Sequence, residues 1–339
     1  HSGKSGTPTL GGTIFITASI VALCFFTKNY SLAIIALASM LSYGILGFLD
    51  DFIKIRYKQN LGLKPYQKII GQVGIALIIA FFCYYSNLVG TTIYLPFVKT
   101  TVDLSWGIIP FILLVYLAVT NSVNLTDGLD GLATGVSISY LLGFLALLFL
   151  YQKLAPTQQI ASEYENLIIL CVCVLGALIG FMGYNVFPAK IFMGDTGSLA
   201  LGGLIASLAV FSKLELYVPL LGIMFVVSAL SVILQVLHYK RTKKRIFKMA
   251  PLHHHFQQSG VHENRITFVY ILITIIMSSL VIIISIFIAC GYPAVTKERD
   301  TERNCYNRAS TTQKRKENPA SASFLPKRRN LSYQKRSSC

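Results

Sequence analysis

The sequence predicts an all-α polytopic membrane protein with nine spanning helices and one small extracytoplasmic β-hairpin. Three observations predict it. The 339 residues are 54% hydrophobic and 13% charged, where a soluble domain carries about a quarter charged residues. Apolar runs close to the ~20 residues that cross a bilayer recur along the chain. Backbone in lipid must satisfy its own hydrogen bonds, so runs of that length are helices.

The spans are expected at 10–26, 32–49, 69–88, 107–125, 133–151, 167–187, 197–212, 216–238 and 266–290. The 197–212 run is short, which predicts little tilt or a locally thinned bilayer. Between the third and fourth spans, residues 91–105 are β-branched and alternate in polarity. That pattern predicts a hairpin, with Pro96 confined to its edge or turn.

Basic residues set the orientation. One side receives Lys54, Arg56, Lys58, Lys64, Lys68, Lys190, Lys240, Arg241, Lys243, Lys244, Arg245, Lys248 and Arg265. The other receives Lys28, Lys99, Lys153 and Lys213. The first side is therefore cytoplasmic. The same assignment brings Lys4, Asp50, Asp51, Asn124, Asp127, Asp130, Asn185 and Asp195 to the cytoplasmic edge, while Asp103, Glu163, Glu165 and Glu215 fall outside. The formal charge of +16 is half tail, because twelve of the 30 Lys and Arg follow Thr296. Residues 1–295 read as the membrane domain and 296–339 as a disordered basic tail without periodicity. Such a charge invites a nucleic-acid reading, yet the membrane body carries no matching groove or motif. The expectation is no nucleic-acid partner. The seven cysteines show no Cys-x-x-C or Cys/His spacing, which excludes a zinc site or a disulfide framework.

Five aspartates at one membrane edge are costly there, since an acid at a helix centre opposes insertion by ~2.5–3.5 kcal/mol. Such acids mark function by default. They stand in three stretches: Gly47-Phe48-Leu49-Asp50-Asp51-Phe52, the 121–133 segment holding Asn121, Asn124, Asp127 and Asp130, and Phe192-Met193-Gly194-Asp195-Thr196-Gly197-Ser198. Clustered carboxylates repel unless a cation lies among them. Mg²⁺ suits such a site, taking one or two carboxylates and filling its other positions with water and phosphate. Asp195 is the first candidate ligand, at a helix start whose N–H groups can also face phosphate. Asp50 and Asp51 are neighbours, roughly 100° apart on a helix, so they should not do the same job. Lys4 and Lys68 supply point charges for a diphosphate. This is phosphoryl-transfer equipment at a lipid surface. Helix capping is the bland account of any one aspartate but not of three acidic segments together. An ion-coupled transporter is the rival class, although the acids gather at one edge and no inverted repeat is present. Gly3-Lys4-Ser5 lacks the upstream glycine and the strand of a P-loop. His253, His254 and His255 point in different directions, so at most one or two share a ligand. Neutral imidazoles can instead donate to phosphate or stack on a base.

These stretches, in this order, resemble the polyprenyl-phosphate N-acetylhexosamine-1-phosphate transferases, and within them the phospho-N-acetylmuramoyl-pentapeptide transferases. The 2–12 segment and Pro251-Leu252-His253-His254-His255-Phe256 complete the resemblance, which spans residues 1 to about 295. It implies that UDP-N-acetylmuramoyl-pentapeptide donates its phospho-sugar to undecaprenyl phosphate, giving lipid I and UMP with Mg²⁺. It also implies ten helices in a homodimer, with the first helix ahead of His1. By motif, Asp195 is the metal ligand, and Asp50 or Asp51 acts on the lipid phosphate with Lys68 nearby. Lys4, Thr9, Asn124, Asp127, Asp130, Asn185, Phe192, Gln235, Ala250, His253, His254 and His255 surround the nucleotide, with Phe192 stacked on uracil. Gln257 departs from the family, which usually carries Glu there. The alternative within the superfamily uses UDP-N-acetylglucosamine, and the histidine run favours the muramoyl enzyme.

Overall fold

Every expected span is a helix, and the acids lie inside or at the ends of these helices rather than in free loops. The computed structural model describes residues 7–26, 31–57, 62–98 and 100–290. The basic tail and Lys4 lie outside them. The first half comprises α1 (Gly12–Phe26), α2 (Ser31–Arg56), α3 (Pro65–Tyr85), β1 (Thr92–Tyr94), β2 (Thr101–Asp103), α4 (Ile108–Thr126) and α5 (Leu132–Leu154). The second half comprises α6 (Gln158–Asn185), α7 (Gly194–Phe211), α8 (Val218–Leu221), α9 (Ile223–Thr242), α10 (Leu252–Gln258) and α11 (Glu263–Cys290). Eight helices are long and apolar enough to cross a membrane, and α1 is apolar over 15 residues.

Two expectations are revised. The eighth run does not form one helix over 216–238. Pro219 sits in the first turn of α8, and Gly222 separates α8 from α9. The short 197–212 segment does not meet lipid and has no bilayer to thin. It is α7, and nearly all of it is buried.

Composition explains why α7 is central. Its sequence Gly194-Asp195-Thr196-Gly197-Ser198-Leu199-Ala200-Leu201-Gly202-Gly203 is mostly small, and small residues let helix backbones approach where lipid gives no hydrophobic drive to pack. α2, α4 and α1 wrap it. A Cβ on Gly203 would press on the Tyr43 ring of α2, and one on Gly202 would press on Thr120 of α4. Gly12 and Gly197 leave the same kind of gap between α1 and α7. The seam is tied by a Tyr116 to Ser207 hydroxyl bond of 2.7 Å. At one end of the bundle the antiparallel β1–β2 pair, in register Thr92 with Asp103, lies over the α7–α8 connection, where Lys213 Nζ donates to Thr92 Oγ1 at 2.9 Å. The acids lie at the other end.

Gly47 makes the closest approach, because a Cβ there would run into the carbonyl of Asp195. Gly47→Ala is expected to lower stability by ~1–3 kcal/mol, the usual cost of overpacking. Thermal unfolding in detergent reads this. Gly74→Ala on α3, beside open space, should not lower the melting temperature.

Candidate active site

The last turns of α2 carry two carboxylates aimed at different partners, as their angular offset requires. Asp51 Oδ2 accepts from the Thr196 backbone N–H at 2.9 Å and from Thr196 Oγ1 at 2.8 Å. It thereby satisfies one of the orphan donors at the start of α7. Asp50 Oδ1 accepts from Leu63 N at 2.7 Å and pins the segment that leads into α3. Asp195 stands in the first turn of α7. Its Oδ1 accepts from Asn124 Nδ2 at 2.7 Å, and the same amide donates to Ser198 Oγ at 2.8 Å.

Each carboxylate is thus aimed by one oxygen, and a cation lies among the others. Lys54 Nζ is 2.6 Å from Asp50 Oδ2, 2.7 Å from Asp195 Oδ2 and 3.7 Å from Asp51 Oδ1. Lys68 Nζ reaches Asp195 Oδ2 at 3.1 Å. One oxygen from each of the three acids lies within 4.8 Å of the others. Three carboxylates face two ammonium groups here among the described residues, so the cluster keeps a net negative charge. That donor set is compatible with a divalent cation, and the Lys54 ammonium stands among the ligand oxygens such an ion would use.

The neighbouring wall is the turn after α4 and the helix α10. Asp127 follows the end of α4. Burial, then the charges of Asp195, Asp51 and Asp130, push its pKa up to about 8. A Cβ on Gly128 would meet the Nε2 atoms of both His253 and His254, so the two rings lie directly over this turn. His253 is fully buried, and neither ring nitrogen has a hydrogen-bond partner among the described residues. Burial and the adjacent His254 push its pKa down to about 3, so the ring is neutral at physiological pH. Gln257 gives its Nε2–H to Glu263 at 2.9 Å, which leaves its oxygen to accept from His254 Nδ1 at 3.0 Å. An amide at this position bridges an imidazole and a carboxylate. A glutamate there would oppose Glu263.

Other candidates hold backbone in place. Thr9 Oγ1 and Asp51 Oδ2 flank Gly194, whose φ of 73° and lack of a Cβ both suit that gap. Phe192 N donates to Pro8 O, and its carbonyl accepts from Gly11 N, both at 2.9 Å, so Thr9 and Phe192 lie on paired strands of chain. Asn185 is buried, accepting from Thr134 Oγ1 at 2.6 Å and donating to Ile191 O at 3.0 Å. Asp130 Oδ2 accepts from Ala189 N at 3.0 Å. Gln235 Oε1 accepts from Ile246 N and Phe247 N, and its Nε2 donates to Phe247 O at 3.0 Å. Ala250 precedes the cis bond to Pro251. His255 Nδ1 accepts from Lys248 N at 3.1 Å. Asn185, Asp130 and Gln235 therefore shape the site through loops, and their amide or carboxylate groups are engaged by the chain itself.

The sequence reading missed Lys54, which it counted only among the orienting basic residues. The signal was present: Lys54 lies four and three residues after Asp50 and Asp51, on the same helical face. Thr196 and Ser198 were also missed as partners of Asp51 and Asn124.

The profile of glycosyl transferase family 4 matches residues 32–213, which carry all three central carboxylates. The chain belongs to this family. It is 48% identical over 278 residues to the phospho-N-acetylmuramoyl-pentapeptide-transferase of Clostridium kluyveri, covering 82% of this chain and 84% of that protein. The protein of the same name from Thermoanaerobacter sp. (strain X514) is 47% identical over 276 residues, covering 81% and 83%. That of Clostridium novyi is 44% identical over 278 residues, covering 82% of each. Within the family, the resemblance drawn from the motifs and these relatives agree.

The raised Asp127 pKa gives a signed expectation. An unfolded chain ionises this group near 4, whereas the folded one keeps its proton to about 8. Stability from this group is therefore full below about 4 and is lost as pH rises through about 8. Metal-stripped protein should melt at falling temperature across that window, and Asp127→Asn should flatten the profile. An unchanged slope in the variant would place the titration elsewhere.

Proposed function

We propose that this chain transfers phospho-N-acetylmuramoyl-pentapeptide from its UDP-linked donor to undecaprenyl phosphate, giving lipid I and UMP. The convergence of Asp50, Asp51 and Asp195 on Lys54 carries the reading, because it is a preorganised cation site at the end of a lipid-embedded bundle. The family match and the named relatives support the substrates. The histidines over Gly128 favour the muramoyl donor above UDP-N-acetylglucosamine. The basic loops support placing the protein in the bacterial cytoplasmic membrane with the site on the inner face. A homodimer follows from the resemblance.

Asp195, aimed by Asn124, together with Asp50 would hold Mg²⁺. Bound there, the ion supplies positive charge to the donor diphosphate. The remaining work falls to the chain. Lys54 and Lys68 offset charge on the transferred phosphoryl group. Asp50 orients the lipid phosphate and accepts a proton from its monoanion. A phosphate monoester has a second pKa near 6, so at neutral pH the lipid is already mostly a dianion. Its oxygen forms the new bond to the donor β-phosphorus as the bond to the UMP oxygen breaks. A carboxylate nucleophile is disfavoured, since Asp51 Oδ2 is committed to Thr196 and Asp195 to Asn124 and two lysines. The neutral imidazole of His253 and the Nε2 of His254 lie where the sugar-nucleotide would meet the Asp127 turn.

Direct transfer makes UMP release depend on the acceptor. With radiolabelled donor and Mg²⁺, UMP should form only after undecaprenyl phosphate is added. Asp50→Asn should lose most activity at low pH and recover partly as pH rises. A stoichiometric burst of UMP without lipid, leaving a sugar-phosphate on the protein, would contradict the direct route.

A further inference from the structure

Between Glu215 and Glu263 the chain has no acidic residue, yet residues 240–248 hold six cations: Lys240, Arg241, Lys243, Lys244, Arg245 and Lys248. All six are exposed. An orienting charge needs only to be in the sequence. This segment is also folded. Lys243 takes a left-handed conformation, φ 57°, and turns the chain back at the end of α9. Thr242 Oγ1 accepts from Lys244 N at 3.2 Å. The Gln235 amide then clamps Ile246 and Phe247 against α9 with three hydrogen bonds. Lys248 is tied through its N–H to His255 and through its Nζ to the Gln258 carbonyl at 3.4 Å.

The position of this turn identifies its surroundings. Leu230, Ile233, Leu234 and Leu237 form an exposed stripe along α9 at helical spacing. That stripe runs directly into Lys240 and Arg241, so the cations begin where a lipid-facing helix surface ends. Tyr239, Ile246 and Met249 are exposed among them. Cations interleaved with apolar and aromatic side chains at the end of a spanning helix match the headgroup and acyl boundary of an anionic leaflet.

We propose that the 240–248 turn is a docking site for anionic phospholipid headgroups of the leaflet at which the acidic cluster lies. The inference stands apart from the transfer reaction. The Gln235 clamp and the Lys248 bonds connect the docked turn to α10, so an anionic leaflet also braces the helix that carries His253.

Equilibrium titration of fluorescent phosphatidylglycerol into the purified full-length protein in neutral detergent tests this. Lys243→Gln/Lys244→Gln/Arg245→Gln should weaken phosphatidylglycerol binding about tenfold after screening, with phosphatidylcholine binding unchanged. Lys243→Arg/Lys244→Arg should bind as the parent does, which separates charge from misfolding. Lys314→Gln/Arg315→Gln/Lys316→Gln removes equal charge from the tail and should have little effect. An unchanged affinity in the first variant, or an equal loss in the tail variant, would overturn the proposal.

Discussion

Carboxylates that share one point repel each other, and the Lys54 ammonium is what lets Asp50, Asp51 and Asp195 do so. At the 4.8 Å separation of their oxygens, each pair opposes the arrangement by roughly 3 kcal/mol at an effective dielectric of about 20. The fold meets that repulsion in two ways. It fixes one oxygen of each acid with hydrogen-bond donors from Leu63, Thr196 and Asn124. It then sets Lys54 and Lys68 against the outward oxygens. The remaining negative charge gives the cluster its attraction for a further cation.

Aiming three acids from two helices requires α2 and α7 to be nearly in contact. Gly47 and Gly203 permit that approach, and the Asp51 to Thr196 pair locks its axial position. A slip of α7 along α2 would pull Asp195 away from Lys54 as well as breaking the cap. Packing and chemistry are therefore the same constraint here. The small residues that make α7 look weakly apolar are those that place it at the centre of the bundle.

The spans, the hairpin and the acidic stretches were legible in the sequence because they rest on local signals: run length, alternation, and acids out of place in apolar surroundings. The break at Gly222 was not, since a single glycine in an apolar run is also tolerated within helices. The depth of α7 was missed because hydropathy reports length and not which helix is enclosed. Among site residues, Asp50, Asp51 and Asp195 stood out by type and setting. The commitments of Asn185, Gln235 and Asp130 to distant backbone could not be read, because each partner is fixed only when helices far apart in sequence are brought together. Lys54 was masked by its membership in a basic loop.

The central claim is that Asp195, aimed by Asn124, completes a cation site shared with Asp50 and Lys54. Titrating Mn²⁺ into the purified protein and following the free ion by electron paramagnetic resonance tests it most directly. The account predicts one site in the parent chain that is lost or greatly weakened in the isosteric Asp195→Asn variant, with the melting temperature retained. Equal Mn²⁺ affinity in the two proteins would contradict it.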